Sequence, residues 1–418
     1  MAQGRIITGL DIGSSAIKIL VVQDNQKSDK IQVLSQLKEP SSGVRKGVVI
    51  SVEEVADTVA SSLDKARKES RQRVDQVFVN IGGSHIFCTP SKGLVSVSRA
   101  DQRISQEDVV RVLEAAKILS VSSNKEVMEA LPREFIVDGE RGIKDPVGLK
   151  GVRLEVEALA LGCFSPYLKN LTQAVLGAGA QINDLFFTPL ASSRAILRPR
   201  EKELGVAVLD IGAGNSNLAV FEEGNLVHTA VFPFGSANIT NDIAIILKTD
   251  IDTAEKVKLE FGSCFYRNGA KKTSGSRKKT SAFWQRDKIK SELLPEPLTF
   301  SRKNLVDIIH ARVKEIFTQV NKELKKISRY ALLPSGVVLT GGGSNLPKIV
   351  ELAKKEMKLP CRLGLPQGFS SLEEDPAFST VCGLVYLSRD NQEGSYHDFS
   401  LGSGLGEKIK KMFRIFNI

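Results

Sequence analysis

The sequence offers little cysteine chemistry. Its five cysteines (Cys88, Cys163, Cys264, Cys361 and Cys382) are odd in number and scattered, and no two have metal-ligand or redox spacing. The expectation is therefore small buried residues in a reducing cytosol, with no disulfide framework. Long apolar runs are also missing. None approaches the ~18 residues of a membrane span. Arg5, Asp11 and Lys18 interrupt the apolar stretch over residues 1–22, which suits a core strand pair and not a secretory signal. The third absence is a broadly basic body. The net charge is +10, but residues 267–290 hold nine Lys/Arg against one Asp, and residues 407–418 hold four against one Glu. The remainder is −1, which excludes the wide basic face of a nucleic-acid-binding globule. What is present is ordinary: 418 residues, 42% hydrophobic and 25% charged, enough for two or more soluble domains.

Against that background one pattern repeats. Gly9-Leu10-Asp11-Ile12-Gly13-Ser14-Ser15 and Val208-Leu209-Asp210-Ile211-Gly212-Ala213-Gly214 lie 199 residues apart, and an apolar run follows each. Each reads as a buried strand, a tight Asp-x-Gly turn and a second strand. A third apolar strand, residues 337–340, runs into Gly341-Gly342-Gly343-Ser344-Asn345, with a helix expected over residues 346–357. Phosphates need several backbone N–H groups aimed inward, and glycine lets the backbone approach closely enough. The residues expected at a nucleotide are Asp11, Gly13, Ser14, Ser15, Lys18, Gly212, Gly214, Asn215, Ser216, Gly341, Gly342, Gly343 and Ser344. Ser14, Ser15 and Ser216 would add hydroxyl donors, and Lys18 would reach a β-phosphate as a point charge. Asp11 and Asp210 would face each other across a cleft and hold Mg²⁺ through water. Asp210 is the candidate to orient or activate water in any hydrolysis. Together these features imply two lobes clamping a nucleotide.

Between the turns, residues 52–70 and 106–119 have helical apolar spacing, the latter capped by Ser105 and Asp108. Residues 84–163 read as a small separate subdomain of short strands around that one helix. Residues 239–247, 253–261 and 301–328 read as helices, with Ser301 as N-cap of the last. Residues 267–282 read as a flexible loop or hairpin tip and residues 390–406 as a linker.

The order of phosphate-1, phosphate-2 and adenosine turns is that of the actin, Hsp70 and sugar-kinase superfamily. Longer stretches are more specific. They include Asn80-Ile81-Gly82-Gly83-Ser84-His85, Leu131-Pro132-Arg133-Glu134-Phe135-Ile136-Val137-Asp138, Gly142-Ile143, and Asp145-Pro146-Val147-Gly148-Leu149. Gly151, Arg153-Leu154-Glu155-Val156, Ile239-Thr240, Asp242-Ile243-Ala244, Ala254-Glu255, Val257-Lys258 and Phe261-Gly262 complete the set. In these the chain resembles the FtsA family of actin-like bacterial cell-division proteins nearly end to end.

The resemblance implies an α/β, actin-like two-lobed fold of duplicated RNase H-like βββαβα domains, with an inserted 1C subdomain and a C-terminal amphipathic helix. It places subdomain 1A at 1–83, 164–198 and a closing helix at 376–390, and 1C at 84–163. Subdomain 2A falls at 199–236 and 305–375, 2B at 237–304, a linker at 391–406 and the amphipathic segment at 407–418. It implies ATP and Mg²⁺ as cofactors, with Glu255 and Lys258 on the helix contacting the ribose. The implied partners are the C-terminal peptide of FtsZ, bound at Arg302 and Lys303, further copies of the chain in protofilaments, and other divisome proteins through 1C. The location would be the cytoplasmic face of the membrane at the septum, with at most weak ATPase activity. One departure stands out. The family's phosphate-2 turn usually reads Asp-Ile-Gly-Gly-Gly-Thr-Thr-Asp, whereas this chain ends it with Asn217. Mg²⁺ binding and turnover come into question with the lost acid. The rival readings are a PilM-like scaffold of type IV pili and a sugar-kinase-type phosphotransferase.

The tail supplies a second element. In EKIKKMFRIFNI, Ile409, Met412, Phe413 and Phe416 share one helical stripe, and Lys408, Lys410, Lys411 and Arg414 take the other side. Twelve residues cannot span a bilayer but can lie in an anionic interface.

Overall fold

The computed structural model describes residues 4–25, 30–119, 122–266, 288–291, 298–329 and 331–393. Most of the basic stretch 267–290, the linker from 394 and the tail with Lys408, Ile409, Lys411, Met412, Phe413, Arg414 and Phe416 lie outside them.

The sequence repeat is a repeat of topology. In the first lobe the strands Arg5–Ile12, Ala16–Asp24 and Ile31–Pro40 form an antiparallel meander. Gln76–Ile81 then adds in parallel beside Arg5–Ile12, and Gln181–Phe187 in parallel beside that. The second lobe has the same order. Val206–Ile211, Ser216–Glu222 and Asn225–Phe232 form the meander, and Val337–Thr340 and Cys361–Leu363 add in parallel. The central strands are apolar almost throughout because both sheet faces are covered.

The helix Val52–Ser70 covers the first sheet with Val55, Val59, Leu63 and Ala66, the positions expected from its period. The second lobe carries the helices Ser236–Leu247 and Ile251–Phe261, a small hairpin of Lys288–Ser291 with Leu298–Ser301, and the long helix Arg302–Lys326. The Ser301 hydroxyl caps that helix by accepting from Asn304 N at 3.2 Å.

The inserted subdomain is a separate sheet. Phe87–Ser96, Arg153–Phe164, Lys125–Val137 and Glu140–Ile143 lie side by side in that order. The helix Gln106–Lys117 packs its Val109, Val112 and Ala116 on Phe135, Leu154 and Val156. Its capping box is formed, with Ser105 N donating to Asp108 Oδ2 at 2.8 Å. Pro132 sits inside a strand because the ladder slips there: Glu134 faces Glu157 while Pro132 faces Ala158, leaving an extra residue between. The subdomain also touches the second lobe. Cys88 Sγ donates to Thr229 O at 3.0 Å, and Asn225 Nδ2 donates to Arg133 O at 3.2 Å.

The two lobes share a floor of helices, Thr188–Ile196 and Ser379–Glu393. These pack so closely that a Cβ on Gly383 would stand 1.7 Å from Ala191 O. Arg194 binds Asp390 with both arms at 2.7 and 3.0 Å. Val206, Val208 and Phe221 of the second sheet join Val381 and Val385 in one core with the first lobe.

Three boundaries differ from the sequence expectation. The chain returns to the first lobe before 376, because Phe369–Ser370 already pairs in parallel with Ile31 and Gln32. The closing helix runs past 390 to Glu393. After the third glycine turn a 3-10 turn, Gly342–Asn345, comes first. The α-helix begins only at Ile349, where Lys348 adopts a left-handed φ of 69°.

Candidate functional site

The two Asp-x-Gly hairpins meet at the floor of one cleft. In the first, Gly13 N closes the turn onto Ala16 O at 3.1 Å. The antiparallel register then sets Asp11 opposite Lys18, whose Nζ lies 2.7 Å from Asp11 Oδ2. Burial alone would favour a neutral Lys18. The Asp11 charge and hydrogen bond, helped by Asp210 and Asp375, outweigh it and raise the pKa above the usual lysine value.

In the second hairpin Gly212 N closes onto Asn215 O at 2.9 Å, and the same register sets Asp210 opposite Asn217. Asp210 is 5% exposed. Burial and the nearby Asp11 charge push its carboxyl up to about 6, against the opposing pull of Lys18 and the hydroxyls of Thr380 and Ser192. Thr380 comes from the shared closing helix and donates to Asp210 Oδ2 at 3.3 Å.

A third strand braces the first turn. Asn80 Oδ1 accepts from Ile12 N at 2.8 Å and its Nδ2 donates to Thr188 Oγ1 at 3.2 Å. The Thr188 hydroxyl in turn donates to Ile81 O at 3.0 Å. The strands Arg5–Ile12 and Gln76–Ile81 and the shared helix Thr188–Ile196 are thereby locked to one another.

The third glycine turn passes over Asp210. Gly341 has φ 81° and ψ 164°, a conformation open essentially to glycine alone. A Cβ there would lie 2.2 Å from Asp210 Oδ1 and 2.6 Å from Ile211 O. On the opposite rim Lys258, 5% exposed, binds Glu255 Oε2 at 2.6 Å and Thr240 Oγ1 at 2.9 Å.

These parts enclose a cleft of about 440 Å³, within the range of small-ligand sites. Of the residues singled out from sequence, Asp11, Gly13, Ser14, Ser15, Lys18, Asp210, Gly212, Asn215, Glu255, Lys258, Gly341, Gly342 and Gly343 line it. Gly214, Ser216 and Ser344 do not. Ser216 is wholly buried and donates to Phe234 O at 2.9 Å. It pairs with Ile211, so strand alternation turns it away from the face carrying Asp210 and Asn217. Ser344 closes its own turn by donating to Gly341 O at 2.6 Å. Gly214 lies against Ser14, where a Cβ would come within 2.6 Å of the hydroxyl oxygen. Ser14 itself accepts from Gly47 N at 2.8 Å. Arg302 and Lys303 sit exposed on the first turn of the long helix. Asn80, Thr188, Asn217 and Thr380 line the cleft without having been assigned to it from sequence.

A family model for the cell division protein FtsA matches residues 207–383, and a model for the SHS2 domain inserted in FtsA matches residues 83–161. The cell division protein FtsA of Pseudomonas aeruginosa is 32% identical over 93% of this chain and 90% of its own length. The FtsA of Bacillus subtilis is 33% identical over 94% of this chain and 85% of its own length. Solved structures give the same fold at lower identity. A PilM–PilN type IV pilus biogenesis complex superposes with a TM-score of 0.63 at 19% identity, covering 91% of this chain and 97% of that one. MreB5 of Spiroplasma citri bound to ADP gives 0.53 at 12%, covering 97% and 98%. The fold is actin-like with an SHS2 insertion, and the chain belongs to the FtsA family of cell division proteins.

Proposed function

We propose that this FtsA-family protein binds ATP between its lobes and uses it as a structural and switching ligand. The observation that carries this reading is the convergence of all three glycine turns, both acids and the two lysines on one cleft. Nucleotide-bound relatives in fold, MreB5 with ADP or AMPPNP, support it. A ligand touching both lobes shifts their relative angle by its differential affinity for the closed form. That shift would gate assembly into protofilaments, in keeping with a fold neighbour described as the MamK double helical filament. Asp210 is the proposed orienting group for water in any slow hydrolysis.

The sequence places magnesium at Asp11 and Asp210 through water. Lys18 already occupies one Asp11 oxygen, burial raises the Asp210 carboxyl to about 6, and Asn217 brings no charge. This donor set does not form a protein cage for a divalent cation, so any cation there would be held through water and the phosphates.

The protein would anchor FtsZ filaments at the cytoplasmic face of the membrane, at the septum. The FtsZ C-terminal peptide would dock beside Arg302 and Lys303. Titration with that peptide is expected to give micromolar binding, weakened about tenfold by reversing both charges. No titratable binding at micromolar levels would contradict the proposal. The tail, residues 407–418, would lie in the membrane interface. The full chain is expected to pellet with anionic vesicles and a chain ending at Gly406 to stay in solution; equal pelleting of both would refute it. Other divisome proteins would meet the inserted subdomain.

A further inference from the structure

The two hairpins are copies, and their registers place Lys18 and Asn217 at equivalent positions. Each stands directly opposite the Asp of its own turn, Asp11 in one lobe and Asp210 in the other. Each also lines the cleft. Lys18 is a donor in the first copy. Asn217 is 3% exposed, and its Oδ1 is buried with no hydrogen-bond donor among the described residues.

An asparagine carboxamide can turn over and present either its NH₂ or its oxygen, whereas an ionised aspartate only accepts. An NH₂ aimed at a phosphate oxygen makes a direct contact. A carboxylate at the same place repels the phosphate unless a cation lies between them. The floor therefore holds Lys18 and Asn217 as two donors from equivalent positions, and Asp210 is its one carboxylate free of an ion pair with Lys18. The rim lysine, Lys258, is held by Glu255.

We propose that Asn217 donates directly to the polyphosphate, as the counterpart of Lys18, so that this protein holds its nucleotide without needing a divalent cation. The proposal rests on the nucleotide reading above and deepens it.

The test is the dissociation constant of ATP for the full-length protein, measured by calorimetry in magnesium and again in EDTA. The wild-type constant is expected to change less than about tenfold between the two buffers. Asn217→Asp is expected to bind well only in magnesium, with a ratio at least about tenfold larger than that of the wild type. Thermal melts of the ligand-free proteins check that the variant folds, and the wild-type ratio stands on its own if it does not. A wild-type loss of more than about tenfold in EDTA, or a folded Asn217→Asp protein with the wild-type ratio, overturns the proposal alone. Absence of binding in both buffers overturns the nucleotide reading and this inference with it.

Discussion

Replacing Gly341 by alanine is expected to destabilise the protein by about 3 kcal/mol and to weaken nucleotide binding by about a hundredfold. The backbone conformation at φ 81° and ψ 164° belongs to glycine, so any side chain adds strain. A methyl group there also overlaps Asp210 Oδ1 at 2.2 Å and the backbone oxygen of Ile211 at 2.6 Å. Neither is the loose end of a flexible side chain. Asp210 is held by Thr380, and Ile211 lies within the central strand of its sheet. Relief requires the third turn to lift away from the second hairpin, which opens the cleft where the nucleotide is proposed to bind. Gly342→Ala is the matched control. Its Cβ would meet only Ala377 Cβ at 3.8 Å, an ordinary contact, and its φ is not positive. It is expected to change stability by less than about 0.5 kcal/mol. Thermal or urea unfolding of both variants gives the comparison, and an ATP titration of Gly341→Ala reads the loss of binding. Equal behaviour of the two would contradict the geometry assigned to the third turn.

The second large effect is expected at Glu129. This residue is 8% exposed, on the strand Lys125–Val137 opposite Leu161. That strand passes from the core of the first lobe, at Met128 and Leu131, into the core of the inserted subdomain, at Phe135 and Val137. Burial pushes the Glu129 carboxyl from its ordinary 4.5 up to about 8; Lys117 opposes the shift and Asp184 adds to it. The folded protein therefore holds a proton that the unfolded chain has released over this range. By linkage, the stability contributed by that proton is present below 4.5 and lost as pH rises through about 8. Glu129→Gln keeps the shape and never ionises. It is expected to exceed the wild type by about 2 kcal/mol in urea unfolding at pH 8 and to differ little at pH 5. The wild-type slope of stability against pH over that interval should flatten in the variant. An identical pH dependence in both proteins would show that Glu129 is not the group responsible.

Much of the fold was legible because local rules agreed with tertiary ones. The apolar period of residues 52–70, the Ser105–Asp108 box and the Ser301 cap each specify a helix locally, and each is found. The repeat around Asp11 and Asp210 carried the site because a turn that approaches a ligand depends on glycine. Ser216 was misplaced by counting turn residues. Counting the cross-strand pairs, Asp210 with Asn217 and Ile211 with Ser216, separates the face toward the cleft from the face toward the core. That signal lay in the sequence. The bracing by Asn80, Thr188 and Thr380 did not, because their partners lie 68 to 170 residues away. Pairings at such separations depend on how the two lobes pack. The early return of Phe369–Ser370 to the first sheet is hidden for a similar reason: a strand of two residues has no period to read.

Calorimetric titration of the full-length protein with ATP in magnesium buffer tests the central claim most directly. The account predicts one site per chain with micromolar affinity, weakened about a hundredfold in Gly341→Ala. Absence of saturable heat up to about millimolar ATP would contradict it.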